Sequence, residues 1–162
     1  MDKKVKDLIN AQINKEMYSA YLYLDFANYY HGEGLDGFGA WYDKQAEEEL
    51  EHAIKFRDYL YDNGEKVKLE KIDKPDKKIK NLKDPLVFAA EHERYVTSLI
   101  YDIYKAARDA DDFRTMEFLN WFISEQAEEE KNADDMVSKY GLFCSDGKGL
   151  YSFDKELASR ND

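Results

Sequence analysis

The chain has 162 residues and a net charge of −11, from 24 Lys and Arg against 35 Asp and Glu. This length is enough for a buried core, so we expect residues 1–162 to form a single domain. The negative charge repels phosphate backbones and anionic lipid headgroups, which argues against nucleic acid or a membrane surface as a partner and favours cations.

Cysteine use and the N-terminal residues predict a cytoplasmic protein. One cysteine, Cys144, cannot form an internal disulfide. The segment MDKKVKDLIN lacks the apolar core of a signal peptide, and it contains no run long enough to span a bilayer.

The first two predicted helices are long, because two prolines and eight glycines leave few positions that interrupt a helix. The first is predicted from about residue 3 to residue 31, where HGEGLDG supplies glycines and an aspartate that stop and restart the chain. His31 is expected in this loop. The second helix is predicted from near Asp36 to the Asn63-Gly64 pair.

Residues 64–84 are charged, contain Pro75 and show no helical period, so they predict a connector of about twenty residues. Asp84-Pro85 then predicts an N-cap followed by proline at the first helical position, opening a third helix that ends at about Ala110.

Asp111 or Asp112 is predicted to cap a fourth helix that ends at about Tyr140. GLFCSDGKG predicts a turn-rich break, and FDKELASR a short fifth helix. The second and third helices are each roughly 40 Å long, a distance that twenty extended residues can cover. The sequence therefore predicts an all-α four-helix bundle with one long crossover between helices 2 and 3.

Each long helix carries a carboxylate midway along its predicted inward stripe: Glu16, Glu49, Glu93 and Glu129. The inward positions are Ile9, Gln12, Glu16, Ala20, Tyr23 and Ala27, then Phe38, Tyr42, Gln45, Glu49, His52, Phe56 and Tyr59, then Leu86, Ala89, Glu93, Val96, Ile100, Ile103 and Ala107, and finally Leu119, Phe122, Gln126, Glu129, Ala133, Met136 and Tyr140. None of these positions is Lys or Arg.

A single Glu on an apolar stripe is more often a surface residue or the partner of a nearby lysine. Four such residues on four helices are harder to explain in that way, because burying unpaired carboxylates together costs many kcal/mol. A multivalent cation from outside the chain would compensate their charge. The sequence thus predicts a metal site in the core.

The spacing of Glu49 and His52 places a carboxylate and an imidazole on one helical face, where both can reach one ion. Two-metal carboxylate bundles usually contain two Glu-x-x-His motifs. This chain has one, with Gln126-x-x-Glu129 in place of the second, so two metal positions should be unequal. Oxygen ligands with one imidazole favour iron or manganese over structural zinc.

The sequence resembles the non-haem ferritins of bacteria and archaea over essentially the whole chain, in the segments NKEMYSAYLYL, QAEEELEHA, EHERYVT, FLNWFISEQAEEEK and GLYSFDKEL. The resemblance implies the following iron ligands: Glu16, Glu49 and His52 for a first iron, Glu49, Glu93 and Glu129 for a second with Gln126 close by, and Glu48, Glu125, Glu128 and Glu129 for a third site. Tyr23 and Trp121 match the family's tyrosine and tryptophan beside the centre, although core packing explains them equally well.

The resemblance also separates this chain from related families. Bacterioferritins bind haem through a methionine after the second-helix glutamate, and Leu50 occupies that position here, so no haem is expected. Rubrerythrins add an iron site made of several cysteines, which Cys144 alone cannot provide. His31 and His92 match no ligand position and are expected to be solvated or structural.

The implied function is iron storage with ferroxidase activity, in which Fe(II) is oxidised by dioxygen or hydrogen peroxide and stored as a mineral. The implied assembly is a hollow homo-oligomer of 24 subunits. A non-catalytic bundle that buffers divalent metal and a di-iron enzyme acting on peroxide or an organic substrate are the alternatives. Sustained oxidation of Fe(II) with mineral accumulation separates the first function from both.

Overall fold

The computed structural model describes residues 1–159, which form five helices and contain no strand. The helices are α1 Lys3–Gly32, α2 Asp36–Asp62, α3 Asp84–Asp109, α4 Phe113–Phe143 and α5 Gly147–Leu157. The predicted all-α fold is confirmed. Within the described residues, no helix combines the length and the apolar character needed to cross a membrane.

The predicted N-cap of α4 is confirmed, and the predicted N-cap of α3 is wrong. Asp112 caps α4, with its side chain accepting a hydrogen bond from the amide of Thr115 at 3.0 Å. Asp84 does not cap α3, because it already lies in the first turn of that helix. Asn81 instead accepts hydrogen bonds from the amides of Lys83 and Asp84, at 3.0 and 3.2 Å. An upstream side chain therefore sets this start.

The predicted end of α4 and the predicted start of α5 were also wrong. α4 continues past Tyr140 to Phe143. α5 begins at Gly147 and not at Phe153, since Asp146 accepts a hydrogen bond from the amide of Gly149 at 2.8 Å and caps the helix inside the predicted break. The last residue of FDKELASR, at position 160, lies outside the described residues.

The connector follows α1 along the length of the bundle. Asn10 exchanges hydrogen bonds with the backbone of Lys68, both at 2.8 Å, near the start of α1. At the opposite end of α1, the Tyr30 hydroxyl donates to the carbonyl of Leu82 at 2.7 Å. The short α1–α2 link makes those helices antiparallel, so this path returns the chain to the end where α2 began. α2 and α3 are therefore parallel, and the predicted long crossover is confirmed.

Two apolar clusters fill the bundle, one at each end. The first surrounds Phe56 and Phe122, whose rings stack with centroids 4.0 Å apart. The second surrounds Phe26, Phe38 and Tyr30, and α5 adds Phe153 to it. The buried carboxylates lie between the two clusters along the helices. The fold thus places a polar layer inside an otherwise apolar core.

α5 closes one end of the bundle by packing against the start of α2. The side chain of Asp154, which is buried, accepts a hydrogen bond from the amide of Phe38 at 3.0 Å. Gly37 permits this approach, because a Cβ atom there would lie 1.7 Å from the carbonyl oxygen of Asp154. The absence of a side chain at residue 37 therefore positions the fifth helix.

Candidate metal centre

Four carboxylates, one from each long helix, are buried in the layer between the apolar clusters. Glu16, Glu49 and Glu93 are each 1% exposed, and Glu129 is 5% exposed. The predicted inward stripes are buried throughout α2 and α3. On the other two helices three stripe residues are only half-buried: Ala20, Ala133 and Tyr140.

Glu16, Glu49 and His52 form a compact group of potential metal ligands. One ligand atom from each residue lies within 4.8 Å of the other two. Gln12 donates a hydrogen bond to Glu16 Oε1 at 2.8 Å, whereas Glu16 Oε2 and both oxygens of Glu49 have no hydrogen-bond partner among the described residues. Buried carboxylate oxygens are rarely left without a donor, so these three oxygens favour a cation as their partner.

Glu93 is held by donors on two other helices. The Tyr23 hydroxyl of α1 donates to Glu93 Oε1, and the Gln126 amide of α4 donates to Oε2 at 3.2 Å. Gln126 also lies 3.2 Å from the hydroxyl of Thr97. Both oxygens of Glu93 therefore have hydrogen-bond donors, in contrast to those of Glu49.

Glu129 belongs to a second group of potential ligands, with His52 and Glu125. Gln45 donates to Glu129 Oε2 at 2.9 Å. His52 lies between the two groups, since its Nδ1 is 3.5 Å from Glu49 Oε2 and its Nε2 is 3.7 Å from Glu125 Oε1. The imidazole is therefore shared by the buried carboxylates and the more exposed Glu125.

The structure assembles the residues expected for the first iron more tightly than those expected for the second. Glu49, Glu93 and Glu129 are mutual electrostatic neighbours, but they are not one of the groups whose ligand atoms all lie within 4.8 Å. Of the residues expected at the third site, Glu125 joins Glu129, Glu48 is half-buried nearby, and Glu128 is exposed and in neither group.

Burial and mutual repulsion raise the pKa values of the carboxyl groups. Burial is the largest cause for all four, and it raises the pKa of Glu49 well above its ordinary value. The pKa of Glu93 is raised to about 7 and that of Glu129 to about 8. Burial also raises the pKa of Glu16. The metal-free centre therefore holds protons near neutral pH, and a cation can displace them.

Tyr23 and Trp121 occupy different environments beside the centre. Tyr23 is buried, and burial followed by the charge of Glu93 raises its pKa well above its ordinary value. Trp121 is 42% exposed and stands edge-on to His52, with ring centroids 5.5 Å apart. Core packing therefore accounts for Tyr23 in part but not for Trp121.

Among the described residues, the other two histidines belong to neither group of potential ligands, and His31 lies in the last turn of α1 and not in the loop. Its ring nitrogens are each 2.9 Å from a carboxylate, Asp36 on one side and Asp43 on the other, and these hydrogen bonds raise its pKa. His92 is buried with its Nε2 2.7 Å from Ser19 Oγ, and burial lowers its pKa to about 4.

Sequence reasoning placed Gln12 and Gln45 on the inward stripes without giving them a role, and it did not identify Thr97. Gln12 donates to the carboxylate of Glu16 and Gln45 to that of Glu129. Thr97 donates to the backbone carbonyl of Glu93 at 3.0 Å and accepts from Gln126, the residue that donates to the Glu93 carboxylate. A glutamine four residues before an inward glutamate, as at positions 12 and 16, was a usable signal.

The potential metal ligands at this centre are carboxylate oxygens, one imidazole nitrogen and one side-chain amide. This set suits iron or manganese, which accept oxygen and nitrogen ligands, and it lacks the thiolates typical of structural zinc sites. Glu16 Oε2 and both oxygens of Glu49 accept no hydrogen bond from the N–H or O–H group of another described residue, and the two carboxyl groups can share a proton between them. A bound cation would take the place of that proton.

Comparison with known proteins identifies relatives that match the full length of the chain. It is 37% identical to a bacterial non-heme ferritin of Campylobacter jejuni over 157 residues, which cover 97% of this chain and 94% of that protein. It is 34% identical to a bacterial non-heme ferritin of Staphylococcus epidermidis over 161 residues, covering 99% and 97% of the two chains.

Solved structures give the same result. An open-pore ferritin from the hyperthermophilic archaeon Archaeoglobus fulgidus superposes with a TM-score of 0.96 at 39% identity, covering 99% of both chains. The family profile described as "Ferritin-like domain" matches residues 6–142, which include all four buried carboxylates. The chain therefore belongs to the non-haem ferritin family.

Proposed function

We propose that the protein is an iron-storage ferritin that oxidises Fe(II) at the buried carboxylate centre. The observation that carries this proposal is the unsatisfied oxygen set of Glu16 and Glu49 beside His52, in the middle of an apolar core. Such an arrangement is costly without a cation. The family and its relatives make iron the expected cation.

Iron(II) is the substrate in this proposal. Glu16, Glu49 and His52 bind one ion, and Glu49, Glu93 and Glu129 bind a second, with Glu49 shared. Two Fe(II) ions supply two electrons, which together with two protons reduce one dioxygen to hydrogen peroxide or one hydrogen peroxide to two waters. The two Fe(III) ions then leave for the mineral. Carboxylates favour this direction, because they stabilise the more highly charged ion.

The raised pKa values give the protein a source of protons for this reaction. Near neutral pH Glu93 and Glu129 carry protons for part of the time, because their pKa values are about 7 and about 8. Cation binding displaces these protons, and the two protons that the reduction consumes come from these groups together with solvent. The hydrogen bond from Tyr23 orients Glu93 while its proton is exchanged.

We further propose that the protein binds no haem. Leu50 is 46% exposed on α2, at the position where the haem-binding relatives have a methionine, and its side chain has no atom that can ligate iron. A stoichiometric haem absorption band in protein purified from a haem-replete host would contradict this.

The test of the main function is the fate of Fe(II) given to the metal-free protein in air. We expect two Fe(II) per chain to be oxidised rapidly, followed by sustained oxidation and growth of an electron-dense mineral. Zn(II) preloaded at two ions per chain should slow the first phase, because it occupies the same ligands and cannot be oxidised. Binding without oxidation would favour a metal buffer, and oxidation without mineral a di-iron enzyme.

A further inference from the structure

A cavity of about 570 Å³ opens beside the metal centre, between α2 and α4. We call it the α2–α4 groove, and its lining is Glu48, Glu51, His52, Ile54, Lys55, Asp58, Tyr59, Asp62, Phe118, Trp121 and Glu125. It extends along α2 from residue 48 to residue 62, a distance of roughly 20 Å at the rise of an α-helix.

One face of α2 gives the groove a strongly acidic wall. Its members recur at steps of three and four residues, which places them on one side of the helix. They are Glu48, Glu51, Lys55, Asp58 and Asp62. Lys55 stands in the middle of this series and is the one cation in the lining, whereas the others are carboxylates. Asp58 also forms an ion pair with the Arg57 guanidinium at 2.7 Å, which reduces its share of the negative charge. The wall still holds more carboxylates than cations, so it concentrates divalent cations, and the Lys55 ammonium group opposes them locally.

His52 joins the groove to the buried centre. It is 4% exposed and lines the groove, with Nε2 directed toward Glu125 and Nδ1 toward Glu49, whose oxygens are fully buried. Both separations, 3.7 and 3.5 Å, exceed ordinary hydrogen-bond lengths, so neither nitrogen is held by a strong donor or acceptor. The imidazole therefore stands between the outer and inner carboxylates.

Lys55 lies close to this junction. It follows His52 by three residues on α2, and its Nζ lies 4.1 Å from the centroid of the Trp121 ring. The same ring contacts His52 edge-on at 5.5 Å. Trp121 thus contacts both the ammonium group of Lys55, through a cation–π contact, and the imidazole of His52. Lys55 and His52 line the same groove, so a cation that moves from Asp62 toward His52 passes the ammonium group.

We propose that divalent cations reach the carboxylate centre through the α2–α4 groove and that Lys55 limits the rate of their arrival. This inference rests on the proposed function, since it concerns the supply of Fe(II) to that centre. The acidic wall draws cations toward His52, and Lys55 opposes the last step. Trp121 acts as a positioning residue for the ammonium group.

The test measures Co(II) binding to the metal-free assembled protein by stopped-flow absorption, so that arrival is observed without oxidation. Lys55→Gln should accelerate binding about three- to tenfold at low ionic strength, with the difference shrinking as salt is added. Lys55→Arg keeps the charge and should bind at nearly the parental rate. Lys44→Gln is the matched control, because Lys44 lies on the same helix outside the groove and pairs with Glu47 at 3.7 Å.

A second pair of variants tests the outer part of the groove. Asp58→Asn with Asp62→Asn should slow Co(II) binding about three- to tenfold, because two charges are removed from the acidic wall. Asp102→Asn with Asp109→Asn makes the same change of charge on α3, outside the groove, and should leave the rate unchanged.

The outcomes separate the route from the function. Binding of two Co(II) per parental chain, with rates that depend on Lys55 and on Asp58 and Asp62, supports the route. Equal rates for Lys55→Gln and Lys44→Gln, or for the two aspartate pairs, would overturn it while leaving the centre intact. Failure of the parental protein both to bind Co(II) and to oxidise Fe(II) would instead reject the proposed function.

Discussion

At the scale of single residues, Glu49 is the side chain on which the centre depends most. Both of its oxygens are buried without hydrogen-bond partners, and it is adjacent to Glu16 and His52. In the proposed centre Glu49 would be shared by two cations, so it should be important for activity and unfavourable for the stability of the metal-free protein. Active sites commonly contain side chains with these opposed effects.

We expect Glu49→Ala to lower the rate of Fe(II) oxidation at least about 100-fold, since even loss of a residue that only supports a ligand often costs 10- to 100-fold. The helices should remain, and the metal-free variant should be as stable as the parent or more stable by about 1–3 kcal/mol, because a buried carboxyl group has been removed. Stopped-flow oxidation and urea unfolding measure the two effects. An unchanged oxidation rate would remove Glu49 from the centre.

At the scale of secondary-structure elements, two helical glycines differ in the space around them. α5 packs on α2 at Gly37, where the helices approach too closely for a side chain. Gly141 lies in α4, where an added Cβ would have no atom of the described residues within 4 Å beyond its own stretch of helix. The two glycines differ in environment, so the same substitution should have opposite effects.

We expect Gly37→Ala to destabilise the protein by about 1–3 kcal/mol, because its Cβ would meet the Asp154 carbonyl and force α5 away. Gly141→Ala should stabilise it by about 0.5–1 kcal/mol through helix propensity. Urea unfolding gives both values. Equal effects of the two substitutions would show that α5 does not pack against α2 in this way.

α2 and α4 together would supply the residues of the predicted third site. Glu125 groups with His52 and Glu129, and Glu48 lies alongside. Glu48→Ala with Glu125→Ala should preserve the amount of iron oxidised at the first two positions but change the ratio of iron to oxygen consumed, or the turnover that follows.

Anaerobic Fe(II) titration should also show fewer bound ions in this double variant. Glu47→Ala with Glu117→Ala is the control, because it removes the same charge from exposed positions on the same two helices. If the number of sites and their affinities equal those of the parent, the third site does not exist and these glutamates are surface charge.

At the scale of the whole molecule, the buried carboxyl groups link stability to pH. Glu93 and Glu129 have pKa values of about 7 and about 8 in the folded protein, against an ordinary value of 4.5. A carboxyl group whose pKa is raised on folding contributes free energy of folding that is fully present below its pKa in the unfolded chain. That contribution is lost as the pH rises through its pKa in the folded protein. The metal-free protein should therefore lose stability between about pH 4.5 and about pH 8.

The measurement is urea unfolding of the metal-free protein, with a chelator present, across this pH range. Glu129→Gln should flatten the decline, because it removes one of the groups whose raised pKa contributes to it. Glu117→Gln, at an exposed position on the same helix, should leave the slope unchanged. Stability that rises with pH over this range would contradict the inferred protonation.

Membership in the ferritin family predicts assembly into a larger particle. Several large apolar side chains are exposed on the single chain, among them Phe113 at 72%, Leu142 at 73% and Tyr151 at 64%, and they leave apolar surface available for subunit contacts. We expect a hollow particle with about 24 times the chain mass of 19.1 kDa, as measured by light scattering and seen by electron microscopy. A stable monomer or dimer would be incompatible with mineral storage in a shell.

The sequence by itself determined the helices, their order, the crossover and the inward carboxylates. These features follow from local periodicity and from connector length, which are properties of neighbouring residues along the chain. Glu16, Glu49, Glu93 and Glu129 interrupt apolar stripes, so their burial could be predicted before any helix was packed against another.

Only the tertiary structure decided which groups meet. Tyr23 reaches Glu93 on α3, Gln45 reaches Glu129 on α4, and Lys55 lies over the Trp121 ring. These contacts depend on the rotation of each helix and on its position along the bundle axis, which a periodic pattern leaves undetermined. α3 begins at Asp84, as predicted to within one residue, but the residue at its N-cap is Lys83 and not Asp84. Asn81 accepts hydrogen bonds from the amides of Lys83 and Asp84, a contact that depends on the conformation of the preceding turn.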